Sequence, residues 1–239
     1  MKLAVCLPGN SFTDKTMQSL MQLNVFLMTH HIPHFFAYSY SPYVIQVRNA
    51  IVGFDAPLFH GKEYTHMFWV DSDIEFGIHD FFKLVAHDLP IISGAYMMGR
   101  GEWSICTEMG EGGLMMPDDE MEEYYQKGKL IEAGWTGFGF ILIKNGVFEK
   151  LKRPWFDPLK DSVGRCLGED VSWCMRAREE GYKLMVDPTI DLTHHKRQGL
   201  RRGMSEHQKK LMELKANQKL KEMGAKDAGE TTSFTGRDN

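Results

Sequence analysis

The sequence predicts an α/β fold built on a mostly parallel central sheet flanked by helices, followed by a C-terminal helical tail. Three observations predict it. Short apolar runs such as Leu3–Leu7 and Met67–Val70 are bounded by polar or turn residues, the pattern of strands buried on both faces. Segments with helical spacing lie between such runs, and a strand–helix–strand succession implies parallel pairing through right-handed crossovers. The run Met67–Val70 also leads straight into Asp71-Ser72-Asp73, and the carboxyl end of a strand is where an open α/β sheet places a ligand.

Taken in order, Leu3 to Leu7 is the first strand, stopped by Pro8-Gly9-Asn10. Thr13 caps a helix from Asp14 to about His30, with Met17, Leu20, Met21, Asn24 and Leu27–Met28 at helical spacing. After Pro33, Phe35–Tyr38 reads as a second strand. Tyr43 to about Phe54 is a helix whose apolar stripe is Val44, Val47, Ile51 and Phe54. Arg48 falls inside that stripe, and a charge on a buried helix face needs a partner. It either pairs with a core carboxylate or reaches into a site to meet an anion.

Ile78–His87 reads as a short helix and Pro90–Tyr96 as a strand ending in small residues. The stretch Met97–Ile131 is Gly-rich, carries a charged run at Asp118–Glu123 and lacks clear periodicity. A long segment of this kind in a compact domain is usually a lid or binding loop, here with a short helix near Glu120–Tyr125. Phe138–Ile143 is a buried strand. Gly168–Gly181 is a helix with acids in its first turn and Gly181 as its stop. Lys183–Val186 and Ile190–Thr193 read as short strands that deliver His194 and His195. Residues 1–200 form the main domain under this reading, and 201–239 a basic helix (Ser205 to about Met223) with a polar end.

Composition narrows the class. The chain has 239 residues, 43% hydrophobic and 25% charged, as in ordinary globular proteins. No apolar run nears the ~20 residues that span a bilayer, and the N-terminus does not read as a signal peptide. Cys6, Cys106, Cys166 and Cys174 include no Cys-x-x-Cys pair, which disfavours a zinc site or a secreted disulfide framework and favours free thiols in the cytoplasm. Net charge is −4, yet Lys196–Lys226 holds ten Lys/Arg against three Asp/Glu. That surplus fits a solvated helix face, and leaves open a contact with an anionic membrane or another subunit.

The chemistry centres on Asp71 and Asp73. Two apart on an extended chain, they are expected to point to one side and converge on a cation, and hard divalent ions prefer such oxygen donors. An EF-hand loop is excluded because Phe76 stands where it needs Gly and Phe82 where it needs Glu. The Gly-x-Gly at Gly137 and Gly139 does not open a helix, so it is no dinucleotide fingerprint, and no P-loop run occurs. Standing alone, Glu169-Asp170 are also what a helix N-terminus ordinarily carries.

In order along the chain, Leu3–Leu7, Arg48-Asn49, Asp71-Ser72-Asp73, Thr136-Gly137-Phe138-Gly139-Phe140, Glu169-Asp170 and Val186-Asp187-Pro188 followed by His194 make up a set that resembles nucleotide-sugar glycosyltransferases of the GT-A fold. Within them it resembles small inverting enzymes of the family holding many bacterial and viral sugar transferases. The resemblance runs from about Leu3 to His195 and implies a Rossmann-like sheet with a smaller acceptor-binding part. It implies that Pro8, Gly9, Arg48, Asn49, Asp71 and Ser72 line the nucleotide, with a UDP-sugar the commonest donor. Asp71, Asp73 and His194 would hold Mn²⁺ or Mg²⁺, although His195 stands beside His194 and leaves the choice of ring open. Asp170 would be the general base toward an acceptor hydroxyl, such as that of a glycan, with Glu169 beside it. Candidates for the acceptor side are Tyr96, Trp135, Thr136 and Gly137; residues 97–135 have no counterpart in the resemblance.

Two other functions compete. A nucleotidyltransferase acting on a sugar phosphate shares the sheet and the paired aspartates, but usually needs a Gly-rich, basic phosphate loop that Pro8-Gly9-Asn10-Ser11 does not supply. A non-catalytic nucleic-acid-binding module would use the basic tail, bind with salt sensitivity and have no use for the aspartates; the expectation here is no nucleic-acid partner.

Overall fold

The computed structural model describes residues 1–53, 57–99, 101–108 and 113–196. Its first compact unit is Met1–Lys196. The predicted basic helix and polar end, and the end of the second helix at Phe54, lie outside the described residues.

The chain opens with β1 (Leu3–Pro8), α1 (Asp14–Thr29), β2 (His34–Ser39), α2 (Val44–Val52) and β3 (His66–Val70). Both β1 and β3 are buried on two faces because their side chains alternate between two apolar layers. Leu3, Val5, Leu7, Phe68 and Val70 pack with Leu20, Leu23 and Leu27 of α1; Ala4, Cys6, Met67 and Trp69 pack on the opposite side, with Val47 and Ile51 of α2. Thr13 caps α1 by accepting a hydrogen bond from the Thr16 amide at 3.1 Å. Gly53 ends α2 in the left-handed region, φ 99°.

After β3 come β4 (Ile74–Glu75), α3 (Ile78–Ala86) and β5 (Ile91–Gly94). The stretch predicted to be largely irregular holds β6 (Met97–Gly99), β7 (Glu102–Trp103), β8 (Ile105–Cys106), β9 (Met116–Pro117) and α4 (Asp118–Lys127). These short pieces form local sheets, β6-β7-β9 and β8 with a later strand, too brief for any period to show in sequence. Then follow β10 (Ile131–Ala133), β11 (Trp135–Thr136), β12 (Phe140–Lys144), α5 (Val147–Lys150), α6 (Glu169–Glu179), β13 (Leu184–Asp187) and β14 (Thr193–His194).

The central sheet has seven strands in the order β10-β13-β5-β12-β3-β1-β2. It is mostly parallel, as expected; β12 and β10 alone run against the rest. The reversed β12 lies between β3 and β5 and pairs Phe140 with Val70. It thereby brings Gly137–Gly139, at its start, to the carboxyl end of β3, where the Asp71 amide donates to the Gly139 carbonyl at 3.0 Å.

Three sequence expectations are corrected. Asp71 and Asp73 do not share a side through extended alternation: the Ile74 amide donates back to the Asp71 carbonyl, and the two aspartates stand on a turn. The last strand is Thr193–His194 rather than Ile190–Thr193, because only Thr193 and His194 meet β4, opposite Glu75 and Ile74. On α1, Leu20 and Leu27 of the expected stripe are buried, joined by Thr16, Ser19 and Leu23, but Met17, Met21 and Met28 stay exposed at 42%, 63% and 63%.

Asp187 ties the end of β13 to α3. Thr189 donates to its Oδ1 from both amide and hydroxyl, at 2.8 and 2.7 Å, and His87 Nε2 lies 2.8 Å from Oδ2. Burial pushes this carboxyl up, but the hydrogen bonds from His87 and Thr189 outweigh it and hold it below its ordinary value. We expect Asp187→Ala to lose about 2 kcal/mol in urea unfolding at neutral pH, from donors left unpaired. A lowered carboxyl stabilises the fold above its ordinary titration range and loses that contribution as pH falls through its native pKa. The gap between wild type and variant should therefore narrow in acid.

Candidate active site

Three loops meet beyond the carboxyl ends of β1 and β3. The end of β1 leaves through Pro8 and Gly9, and Gly9 has φ 135°, with a built Cβ only 3.1 Å from the Ser72 Cβ. Only glycine permits that backbone with Ser72 so close. The Thr13 amide donates to the Ser72 carbonyl at 2.9 Å, and the His195 amide to the Asp73 carbonyl at 2.7 Å. The turn carrying the aspartates is thus held by main-chain bonds from both sides.

A cavity of about 440 Å³ opens there. It brings together Pro8, Gly9, Arg48, Asp71, Ser72, Asp73, Tyr96, Glu169, Asp170 and His194, all predicted from sequence. Ser41, Pro42, Val44, Val47 and Met98 also line it, and sequence reasoning missed them as site residues. Val44 and Val47 had a signal: Val44 lies four residues before Arg48 on the same helix face, and Val47 belongs to the apolar stripe into which Arg48 falls. Met98 had none, because its segment shows no period.

Arg48 answers the question its position raised. It is 4% exposed, with Nη2 at 3.4 Å from Asp71 Oδ1 and Nε at 3.7 Å from Glu169 Oε1. Its guanidinium carbon lies 5.0 Å from the Phe138 ring centre and 5.8 Å from that of Phe156. Nε and Nη1 make no hydrogen bond among the described residues. Burial alone would pull this cation's pKa down; Asp71 and Glu169 more than reverse that, and it stands above its ordinary value. Burial likewise pushes Asp71 and Glu169 up, against the pull of Arg48.

On the opposite wall, His194 Nε2 lies 3.2 Å from Asp73 Oδ2, and its Nδ1 3.0 Å from the Met97 carbonyl. The hydrogen bond with Asp73 raises the imidazole's pKa. His195 forms its own pair, Nε2 to Glu75 Oε2 at 2.6 Å, and does not line the cavity. Tyr96 closes the back. Its ring meets His194 edge-on at 5.2 Å and its Oη accepts from the Gly139 amide at 3.2 Å. Built Cβ atoms at Gly137 and Gly139 would lie 2.4 and 2.7 Å from Tyr96 atoms, so those glycines make room for this side chain.

Four predicted residues lie elsewhere. Asn49 is 1% exposed and acts within the framework: its Nδ2 donates to the Ile45 carbonyl at 3.0 Å and its Oδ1 accepts from the Phe156 amide at 3.4 Å. Trp135 donates to the Gly113 carbonyl, Thr136 bonds Ser93 at 2.7 Å, and Gly137 packs behind Tyr96. These last three are interior and do not line the cavity. Two-residue alternation on a short strand carried no sign of which face the site would take.

Asp73 and His194 offer an oxygen and an imidazole nitrogen suited to Mn²⁺ or Mg²⁺, and Asp71 lines the same cavity. As the side chains stand, no three His, Cys, Asp or Glu among the described residues form a metal-holding group, because Asp71 is turned toward Arg48.

The described chain has the mostly parallel α/β sheet flanked by helices that the sequence predicted. It is similar over 86% of its length to the whole of A197 from STIV, at 17% identity and a TM-score of 0.53, which shows a shared fold and nothing of activity. It overlaps GalNAc-T7, solved with UDP, GalNAc and Mn²⁺, at 12% identity and a TM-score of 0.48, across 85% of this chain and 45% of that one. With the inositol-1-phosphate CTP transferase from T. maritima the figures are 10% identity, a TM-score of 0.42, 82% of this chain and 89% of that one. These two weaker overlaps decide nothing between sugar transfer and nucleotidyl transfer. No protein-family model matches the sequence, and no curated protein matches it significantly.

We expect Arg48→Met to destabilise the fold by about 3 kcal/mol at pH 7.5, because two partly buried carboxylates lose their cation. Asp71 and Glu169 would then titrate still higher. Protonation at lower pH removes their repulsion, so the deficit measured in urea should shrink between pH 7.5 and 5. An unchanged urea midpoint at pH 7.5 would show that Arg48 does not hold these carboxylates.

Proposed function

We propose that this protein is an inverting glycosyltransferase that moves a sugar from a nucleoside diphosphate sugar, a UDP-sugar foremost, to an acceptor hydroxyl with the help of a divalent cation. The observation that carries the reading is the single cavity joining Asp71, Asp73 and His194 to Glu169 and Asp170, residues from distant parts of the chain. That cavity holds four carboxylates against one buried arginine. An anionic diphosphate is repelled there unless a cation accompanies it. Asp73 and His194, with Asp71 beside them, are the residues to hold Mn²⁺ or Mg²⁺, which would supply Lewis-acid stabilisation to the departing diphosphate.

The chain's own groups do the rest. Pro8, Gly9, Ser41, Pro42, Val44 and Val47 form the wall on which the nucleotide rests, and Arg48 opposes from below the burial that raises the pKa values of Asp71 and Glu169. Asp170 Oδ1 accepts from the Val171 amide at 2.8 Å; its other oxygen, Oδ2, is left for the acceptor. Asp170 takes the acceptor's proton on Oδ2 as that hydroxyl oxygen attacks the anomeric carbon, giving inversion in one displacement. Glu169 is a positioning group, held toward Arg48. The acceptor enters past Tyr96 and Met98, beside the small sheets of residues 97–135. Four free thiols fit a reducing, cytoplasmic setting, and no helix among the described residues is long and apolar enough to cross a membrane. The partner proposed for the basic segment that begins at Lys196 is an anionic membrane or another subunit, on the ground of its surplus of Lys and Arg alone.

The test is nucleotide release from a panel of UDP-, GDP- and dTDP-sugars with Mn²⁺. Release of UDP should fall at least about 100-fold in Asp73→Ala and in His194→Ala, and stop with EDTA. Pyrophosphate release from a nucleoside triphosphate would instead assign a nucleotidyltransferase. Neither product, with salt-sensitive RNA or DNA binding, would assign a binding module. Asp170→Asn should keep donor affinity and lose about 10²–10⁴ in turnover; full turnover in that variant removes Asp170 as the base.

A further inference from the structure

The seven-stranded sheet ends at β2, and no strand among the described residues pairs with its outer edge. Exposed edges are usually guarded by charge, proline or a bulge. The β2 sequence, His34-Phe35-Phe36-Ala37-Tyr38-Ser39, has no Lys, Arg, Asp, Glu or Pro, while Pro33 and Pro42 bracket it. The carbonyls of Pro33 and Ser39 accept from Leu3 and Gly9 at 2.9 and 3.2 Å. Backbone groups alternate sides along a strand, so the odd positions turn inward to β1. His34, Phe36 and Tyr38 therefore present their N–H and C=O groups outward.

The same even positions carry exposed side chains on the α1 face of the sheet. Phe36 and Tyr38 are 37% and 78% exposed, and they align with Val5 and Leu7, which pack under α1. Asn24 Oδ1 lies 2.9 Å from His34 Nε2, which fixes the flank of α1 that overlooks this edge. Met17, Met21 and Met28 stand seven and three residues before Asn24 and four after, on that flank. They are the part of the α1 apolar stripe that the core leaves uncovered.

We propose that this surface is a two-fold interface with a second copy of the chain, in which β2 pairs antiparallel with β2 of the other molecule. The edge is self-complementary in one register. A dyad at Phe36 sets Phe36 opposite its own copy and His34 opposite the second copy's Tyr38, giving three hydrogen-bonded pairs that exchange two bonds each. A two-fold perpendicular to the sheet keeps both α1 helices on one face. Their methionine flanks then enclose Phe36 and Tyr38 from both sides, a closed isologous contact. No other register of the three outward residues fills every pair. An anionic membrane is the rival occupant for an apolar flank, but it would leave the outward backbone groups of β2 unpaired by protein.

Sedimentation equilibrium on the full chain tests the proposal. Wild type should be a dimer, and Tyr38→Lys and Met21→Lys, both at exposed positions, should each weaken dimerisation at least about tenfold while leaving the far-ultraviolet circular-dichroism spectrum of the folded chain unchanged. Register is tested by Phe36→Cys in a Cys166→Ser background. Equivalent residues on the dyad bring Cα atoms to ~5.5 Å, so a short bismaleimide should link two chains through these thiols; Val25→Cys in the same background should not link. A wild type that stays monomeric to about 100 µM overturns the interface. So do lysine variants that dimerise as wild type does, failure of Phe36→Cys to link, or a monomer that floats with phosphatidylserine vesicles and loses that binding in Met21→Lys.

Discussion

The guanidinium of Arg48 is the constraint on which the candidate site depends. It sits under the cavity beside the paired rings of Phe138 and Phe156 and meets the carboxylates of Asp71 and Glu169. Those two acids come from the end of β3 and the start of α6, nearly a hundred residues apart in sequence. Without a cation between them, two partly buried carboxylates would repel and desolvate at a cost the fold would avoid by moving them apart. The aromatic walls exclude water, which strengthens each of these attractions, and the missing hydrogen bonds at Nε and Nη1 mean that charge and ring contacts do most of the holding.

Around that centre the backbone is tied more tightly than the side chains. The turn Asp71–Asp73 receives amides from Thr13 and His195, and β12 returns to anchor the Asp71 amide. The reversed direction of β12 also sets Gly137 and Gly139 against Tyr96 and so places its phenol at the back of the cavity. By contrast, Asp73 and His194 hold one another across the mouth and Asp71 leans to Arg48. A bound cation would compete with both pairings, so its binding and the protonation of His194 are linked.

The sheet has two ends of different character. At β10 it finishes in a short antiparallel strand with Glu132 exposed and paired to Lys183 at 2.7 Å, the kind of charged edge that does not recruit another strand. At β2 it finishes in an uncharged aromatic strand beside exposed methionines. The site opens at the carboxyl end of β1 and β3, and Ser41 and Pro42, which line it, follow directly on β2 in the chain.

The sequence by itself determined the α/β class, the main strands and helices, and ten of the residues that meet in the cavity, because strand burial and helix periodicity are written locally and because the ordered set of short motifs is specific. It also exposed Arg48 as an anomaly on a buried helix face. It did not determine that Asp71-Ser72-Asp73 is a turn, since the fold of that turn is fixed by amides from Thr13 and His195 far away. Nor did it place Asn49, Trp135, Thr136 and Gly137 in the framework rather than the cavity, or separate His194 from His195. Tertiary structure alone decided those, through the reversed β12 and the pairing of β14 with β4. The same holds for the methionines of α1: local spacing marks them apolar, but only the sheet beneath the helix decides which half of an apolar stripe is covered and which is left facing outward.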